Sequence, residues 1–305
     1  MTAPVATASP QRRVLLTGAG GFIGSHCIAP LLARGYEVVA TYHEHAPVPV
    51  EGVQWLHADL LDPGSIGPLV ERSRASHLLH LAWYVEPGKL IDAPVNVAWC
   101  GASLELLRRF HLSGGVRVVI GGSCYEYDWR YGYCNEQLTP CRPDTLYGSA
   151  KLGLSQILLG YSASTGLSGA WGRLFFLYGP RENPRRLVPA VILSLLKGEP
   201  AQTSHGRQVR DYCHVQDVAD GLVALLDSSA SGAYNIANGQ PGPILSIVQA
   251  LGDIVGRRDQ LRIGAIPARA NDAPLVAADT AAAKRDFGWE ARIPLRAGLE
   301  ATVQW

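Results

Sequence analysis

The chain has 305 residues, 47% apolar and 17% charged, with a formal net charge of +1. These values exclude a disordered chain and give no reason to expect nucleic acid or an anionic membrane as a partner. The length suits one large α/β domain, or one domain with a smaller appendage. The six cysteines, Cys27, Cys100, Cys124, Cys134, Cys141 and Cys213, form no Cys-x-x-Cys pair and no ligand-like pattern with histidine. Neither a zinc site nor a disulfide framework is therefore expected. Residues 1–10 have neither the basic nor the apolar stretch of a secretion signal, and no apolar run approaches membrane-spanning length. The expected setting is soluble, reducing and cytoplasmic, with residues 1–10 a frayed tail.

From Arg13 onward, short apolar runs alternate with helical patterns. Strands are expected at 14–17, 37–41, 53–56, 77–82, 117–120 and 169–176. Helices are expected at 23–34, 65–73, 94–111, from Tyr147 to about Thr165, and at 187–197. Continuous apolar strands separated by helices imply a doubly wound parallel sheet of Rossmann type, covered on both faces. Beyond residue 197 the alternation weakens and prolines become frequent (Pro200, Pro241, Pro243, Pro267, Pro274). The expected division is a dinucleotide-binding domain over 11–180, rejoined by 205–238. A smaller, discontinuous C-terminal α/β lobe then comprises 181–204 and 239–305.

Gly18-Ala19-Gly20-Gly21-Phe22-Ile23-Gly24 falls where the first strand turns into the first helix. Gly18 permits the tight turn, Gly21 lets backbone approach a pyrophosphate, and Gly24 lets helix and strand pack closely. The helix N-terminus then offers free N–H groups to phosphate. In NAD-binding folds an acid at the end of the second strand takes the ribose 2′-hydroxyl. Here the run is Ala40-Thr41-Tyr42-His43-Glu44, with Tyr42 at that place. His43, with Arg12 or Arg13 nearby, is the candidate for a 2′-phosphate. NADP(H) is therefore favoured, with NAD(H) the alternative.

Tyr147 and Lys151 stand four residues apart, which on a helix puts both on one face. A free phenol has a pKa near ~10 and is a poor proton-transfer group at neutral pH. A lysine charge beside it is expected to lower that value.

Taken together, these segments resemble the extended short-chain dehydrogenases/reductases that act on nucleotide sugars. The resemblance rests on Gly18-x-x-Gly21-x-x-Gly24, Ala58-Asp59-Leu60, His80-Leu81-Ala82 and Asn96. It continues with Ser123, Tyr147-x-x-x-Lys151, the run 173–180 and Arg210-Asp211-Tyr212 through Val218. It implies that Asp59 and Leu60 lie beside adenine, and that Leu81, Ala82 and Leu174 neighbour the cofactor together with Phe22 and Ile23. Ser123 would hydrogen-bond the reacting sugar oxygen and Tyr147 would exchange its proton. Lys151 would hold the nicotinamide ribose and tune Tyr147, and Arg210 would clamp the substrate diphosphate. Trp83, Cys124, Tyr125 and Phe176 would line the sugar pocket, and Arg186 and Leu187 would contact the nucleotide. The plainer alternatives are a turn residue for Ser123, a surface ion pair with Asp211 for Arg210, core packing for Trp83, and structural histidines at His80 and His214.

Departures from the family pattern narrow the chemistry. Dehydratases carry an Asp-Glu pair directly after the Ser/Thr, where this chain has Cys124 and Tyr125, with Glu126 one place later. Epimerases carry Asn in the segment that here reads Arg173-Leu174-Phe175-Phe176, and an acid at the end of strand two. The resemblance therefore points first to an NADPH-dependent 4-ketoreductase acting on a nucleotide-linked 4-keto-6-deoxyhexose. An NAD-dependent nucleotide-sugar epimerase is the alternative. It further implies a homodimer through helices 94–111 and 148–165.

Overall fold

The computed structural model describes residues 12–268 and 272–305, so the expected tail at residues 1–10 lies outside the described residues. The first half alternates as expected. It contains β1 (Arg13–Thr17), α1 (Phe22–Ala33), β2 (Glu37–Tyr42), β3 (Val53–His57), α2 (Pro63–Ser73), β4 (His77–His80), α3 (Val95–Leu112) and β5 (Arg117–Ser123). There follow a two-residue strand β6 (Tyr133–Cys134), α4 (Leu146–Thr165), β7 (Ser168–Leu174), β8 (Phe176–Tyr178) and α5 (Leu187–Lys197). The remainder is β9 (Ala201–Thr203), β10 (Val209–Arg210), β11 (Tyr212–His214), α6 (Val215–Asp227), β12 (Gly232–Ile236), β13 (Gly242–Pro243), α7 (Ile244–Val255), β14 (Leu261–Ile263), β15 (Leu275–Ala278), α8 (Ala281–Phe287) and α9 (Leu295–Gln304).

Seven parallel strands form the main sheet in the order β12-β7-β5-β4-β1-β2-β3. Strand 117–123 is buried through its length, and 77–80 at all but its first residue, because helices cover both faces. On one face α1 and α6 enclose Leu16, Leu31, Val38 and Leu222, and on the other α2, α3 and α4 enclose Leu15, Leu78, Leu106 and Leu154. Strand order reverses between β1 and β4, the place where doubly wound sheets open a crevice at their carboxyl ends. A smaller sheet, β13-β10-β15-β6, and the parallel pairs β8–β11 and β9–β14 lie beside α5, α7 and α9.

Two strands end earlier than the sequence suggests. β4 stops at His80: the Leu81 N–H is shared between the Thr17 carbonyl and hydroxyl (3.2 Å each), and the Ala82 N–H turns to that hydroxyl at 3.4 Å. The run 169–176 divides at Phe175, whose ring enters a separate cluster with Tyr127 and Val276. Phe176–Tyr178 then pairs with β11, outside the main sheet.

Candidate functional site

Sequence places the glycine loop at the end of β1, and the backbone explains its composition. Gly18 has φ +72°, in the left-handed region that disfavours side chains. A Cβ there would lie 2.7 Å from the Ala82 nitrogen, and one at Gly24 would lie 2.2 Å from the Gly18 carbonyl oxygen. The loop is thus a cradle that added carbon would close, which is the fit a pyrophosphate needs. Replacing Gly18 by alanine should lower the melting temperature and weaken dinucleotide binding more than tenfold, because strained backbone and overpacking cost roughly 1–3 kcal/mol each. Calorimetric titration with NAD alongside a thermal melt checks both effects.

The loop opens into a cavity of about 800 Å³ at the crevice. Gly18, Gly21, Phe22, Ile23, Gly24, Leu81, Ala82 and Leu174 line one part. Ser123, Tyr147, Trp83, Cys124, Tyr125, Phe176, Arg186 and Leu187 line the rest. The residues proposed from sequence for cofactor and for substrate therefore share one space.

α4 begins one residue before Tyr147, capped by the Thr145 hydroxyl, which accepts from the Gly148 N–H at 3.1 Å. Tyr147 and Lys151 are both buried on its inner face. The Tyr147 ring meets Trp83 edge-on at 6.4 Å and Tyr125 at 5.8 Å. Ser123 ends β5, and its hydroxyl accepts from the Tyr125 N–H at 3.3 Å, leaving its own proton to donate.

The electrostatics differ from the expectation for the pair. Burial raises the Tyr147 phenol well above its ordinary value, and the Ser123 hydroxyl opposes that rise. Lys151 does not lower it. Its ammonium donates to the Gly121 carbonyl at 2.8 Å and lies 3.7 Å from the centre of the Trp83 ring, away from the cavity lining. Burial draws Lys151 down to about 7, against the Glu126 carboxylate. Trp83 touches both members of the pair, so it is more than plain core. Its indole N–H donates to Asn96 at 2.8 Å, and Asn96 in turn holds the carbonyls of Leu90 and Ala93.

Glu126 is fully enclosed. It accepts from the Ser123 N–H (2.7 Å), the Trp171 indole (2.9 Å) and the Arg173 guanidinium (2.8 Å). A carboxylate so occupied is a structural tie, not a free proton-transfer group. His80 is likewise bound on both nitrogens, to Thr17 at 2.6 Å and Ser103 at 2.8 Å, and burial lowers it to about 3. His214 caps α6, accepting from the Gln216 N–H at 3.2 Å.

Four other candidates lie off the cavity. His43 and Asp59 approach each other to 3.4 Å at the outer edge of β2 and β3, and Leu60 is buried in the neighbouring core. Arg210 is buried and pairs with Asp272 at 2.5 Å, with its guanidinium 5.3 Å from the Phe176 ring centre. The surface pair with Asp211 does not form: Asp211 instead accepts from the N–H groups of Asn238 and Gly239 at 2.9 and 3.0 Å. Arg12 and Arg13 stand at the opposite end of β1 from the glycine loop, roughly 16 Å away at about 3.3 Å per residue. Arg12 is paired with Asp227, and Arg13 bonds to Gln54 at 2.6 Å. Neither arginine reaches a 2′-phosphate, and His43 already faces a carboxylate.

Sequence reading passed over Glu182, Asn183 and Tyr212, which also line the cavity. The signal was present: Glu182 is the single acid within the basic stretch 181–186. All six cysteines are free thiols, and among the described residues no helix is long and apolar enough to cross a membrane.

Residues 14–237 match the NAD dependent epimerase/dehydratase family, and the chain belongs to that family. It is 27% identical to the UDP-glucose 4-epimerase of Bacillus subtilis, covering 96% of both chains. It is 26% identical to UDP-glucuronic acid decarboxylase 1 of Danio rerio, over 97% of this chain and 72% of that one. Among solved structures, the UDP-glucose 4-epimerase of Thermus thermophilus in complex with NAD superposes with a TM-score of 0.85 at 26% identity, over 96% of this chain and 98% of that one.

Proposed function

We propose that the chain is an NAD-dependent nucleotide-sugar 4-epimerase. One observation carries the reading: the glycine cradle and the Ser123–Tyr147 pair share one cavity, and the acid nearest Ser123 in sequence, Glu126, is fully engaged by Ser123, Trp171 and Arg173. Elimination of water needs a further acid and base, whereas oxidation and reduction at one carbon need a single proton-exchange group. The epimerase relatives support this reading over the ketoreductase that the sequence favoured. The position of Arg12 and Arg13, and the Asp59 carboxylate beside His43, support NAD over NADP(H).

Bound at the glycine loop, NAD would supply the hydride acceptor and, once reduced, the donor. Gly18, Gly21 and Gly24 would hold its pyrophosphate, and Leu81, Ala82 and Leu174 would flank it. Ionised, Tyr147 would take the proton of the sugar hydroxyl and return it to the same oxygen when hydride comes back to the other face of the carbon. Ser123 would donate to the same oxygen and stabilise charge there. Lys151 would act from behind Trp83, keeping positive charge near the centre. Arg186 and Leu187 would meet the substrate diphosphate, with Arg210 steadying Phe176 from behind. In this reading 181–204 and 239–305 form the substrate lobe, and exposed Val97, Leu112 and Ile157 on α3 and α4 join two copies in a homodimer.

A second reading, NADPH-dependent reduction of a nucleotide-linked 4-keto sugar, is favoured by two observations. Tyr42 stands where NAD-binding folds have an acid, and burial keeps Tyr147 protonated, as a proton donor requires. The dinucleotide that co-purifies separates the two. Mass spectrometry of acid-released material should find NAD at close to one per chain. Recovery of NADP, or of no dinucleotide together with NADPH-dependent turnover, would favour the ketoreductase.

A further inference from the structure

Glu182 has no part in the chemistry above, yet the backbone is arranged to present it. Arg181, just before it, adopts φ +71°, one of two non-glycine residues among the described residues in the left-handed region. Such a conformation is costly for a residue with a side chain and persists where the surroundings demand it. Arg181 points to solvent, while Glu182 lines the cavity with one carboxyl oxygen shut off from water and lacking any hydrogen-bond partner. A buried polar atom left unpaired is expensive unless a ligand completes it.

The neighbours define which ligand group that is. Arg186 at the head of α5 and the Tyr212 phenol from β11 are the groups coupled to Glu182. Lys89 and Asp92 line the same cavity. Arg185 is engaged by Glu86 and Arg210 by Asp272, whereas the Arg186 charge acts on Glu182. A charged carboxylate here would repel an anionic ligand, whereas a carboxylic acid adds a donor beside the guanidinium.

We propose that Glu182 binds the diphosphate of the substrate as a neutral acid, donating its proton to a phosphate oxygen next to Arg186, so that ionisation of Glu182 releases the substrate. The inference rests on the nucleotide-sugar reading above. Burial supports it by raising Glu182 to about 8, with Arg186 opposing. The direction is that of a carboxyl kept protonated in an apolar site so that it can donate.

Binding of UDP-glucose, whose diphosphate does not titrate in this range, is to be measured by calorimetry from pH 7 to 9.5. Wild-type affinity should fall about tenfold between pH 7 and 9, following the loss of the competent form. Glu182→Gln, a permanently neutral isostere, should hold its pH 7 affinity across the range. Glu182→Ala should also be flat but weaker, which guards against a folding defect specific to Gln. A wild-type profile without the fall, or a fall that survives in both variants, would overturn the role of Glu182; a surviving fall would place the titration at another group. Absence of UDP-glucose binding by wild type at every pH would overturn the nucleotide-sugar reading itself, and this inference with it.

Discussion

Tyr147→Phe should lower kcat by about 10³-fold, since a positioned proton-transfer group contributes roughly 10²–10⁴. The change removes one oxygen. The ring keeps its edge contacts with Trp83 and Tyr125, so no cavity opens and α4 is undisturbed. NAD affinity should stay within about twofold of wild type, because the glycine cradle is untouched; a kcat loss with unchanged affinity marks an interaction made only in the transition state. Steady-state kinetics with NAD titration provide the check. A variant that turns over like wild type would remove Tyr147 from the reaction.

The second large effect is on stability. Glu126→Ala should cost about 3–5 kcal/mol, the range for leaving one partner of a buried ion pair alone. The loss strands the Arg173 guanidinium in the core, together with the Trp171 indole N–H and the Ser123 N–H. Because Ser123 is held through that N–H, activity should fall as well. Urea unfolding measures the first effect; a loss below about 1 kcal/mol, within the range of an exposed pair, would show that the tie carries little. Glu126→Gln should fall between the two, since it retains acceptor capacity for Trp171 or Ser123 but loses the charge opposite Arg173.

Much of the fold was legible because the signals were local and repeated. Apolar runs at 14–17, 77–80 and 117–120, with turns and helices between them, can satisfy their backbone only as a covered parallel sheet. The glycine loop was equally legible, because Gly18 and Gly24 answer steric demands that no other residue meets. What failed was pairwise electrostatics between residues distant in sequence. Four-residue spacing put Tyr147 and Lys151 on one helix face. It could not reveal that Trp83, more than sixty residues earlier, takes up the ammonium. Arg210 and Asp211 are adjacent in sequence, but alternation along extended backbone sends them apart, to Asp272 and to the Asn238–Gly239 turn. The expectation of an arginine at a 2′-phosphate failed for a related reason. Arg12 and Arg13 are close to the glycine loop in number, but the length of β1 separates them from it.

In the epimerase reading, one bound dinucleotide and one proton-exchange pair invert a sugar carbon without net redox change. The most direct test is to incubate the purified protein, with no cofactor added, with UDP-glucose, UDP-glucuronate or UDP-N-acetylglucosamine, and to resolve the products by chromatography. At least one substrate should be converted to its 4-epimer, to a plateau short of completion, with no nicotinamide consumed. If none of the three yields an epimer, and a 4-keto sugar is reduced only while NADPH is supplied, the epimerase assignment is contradicted.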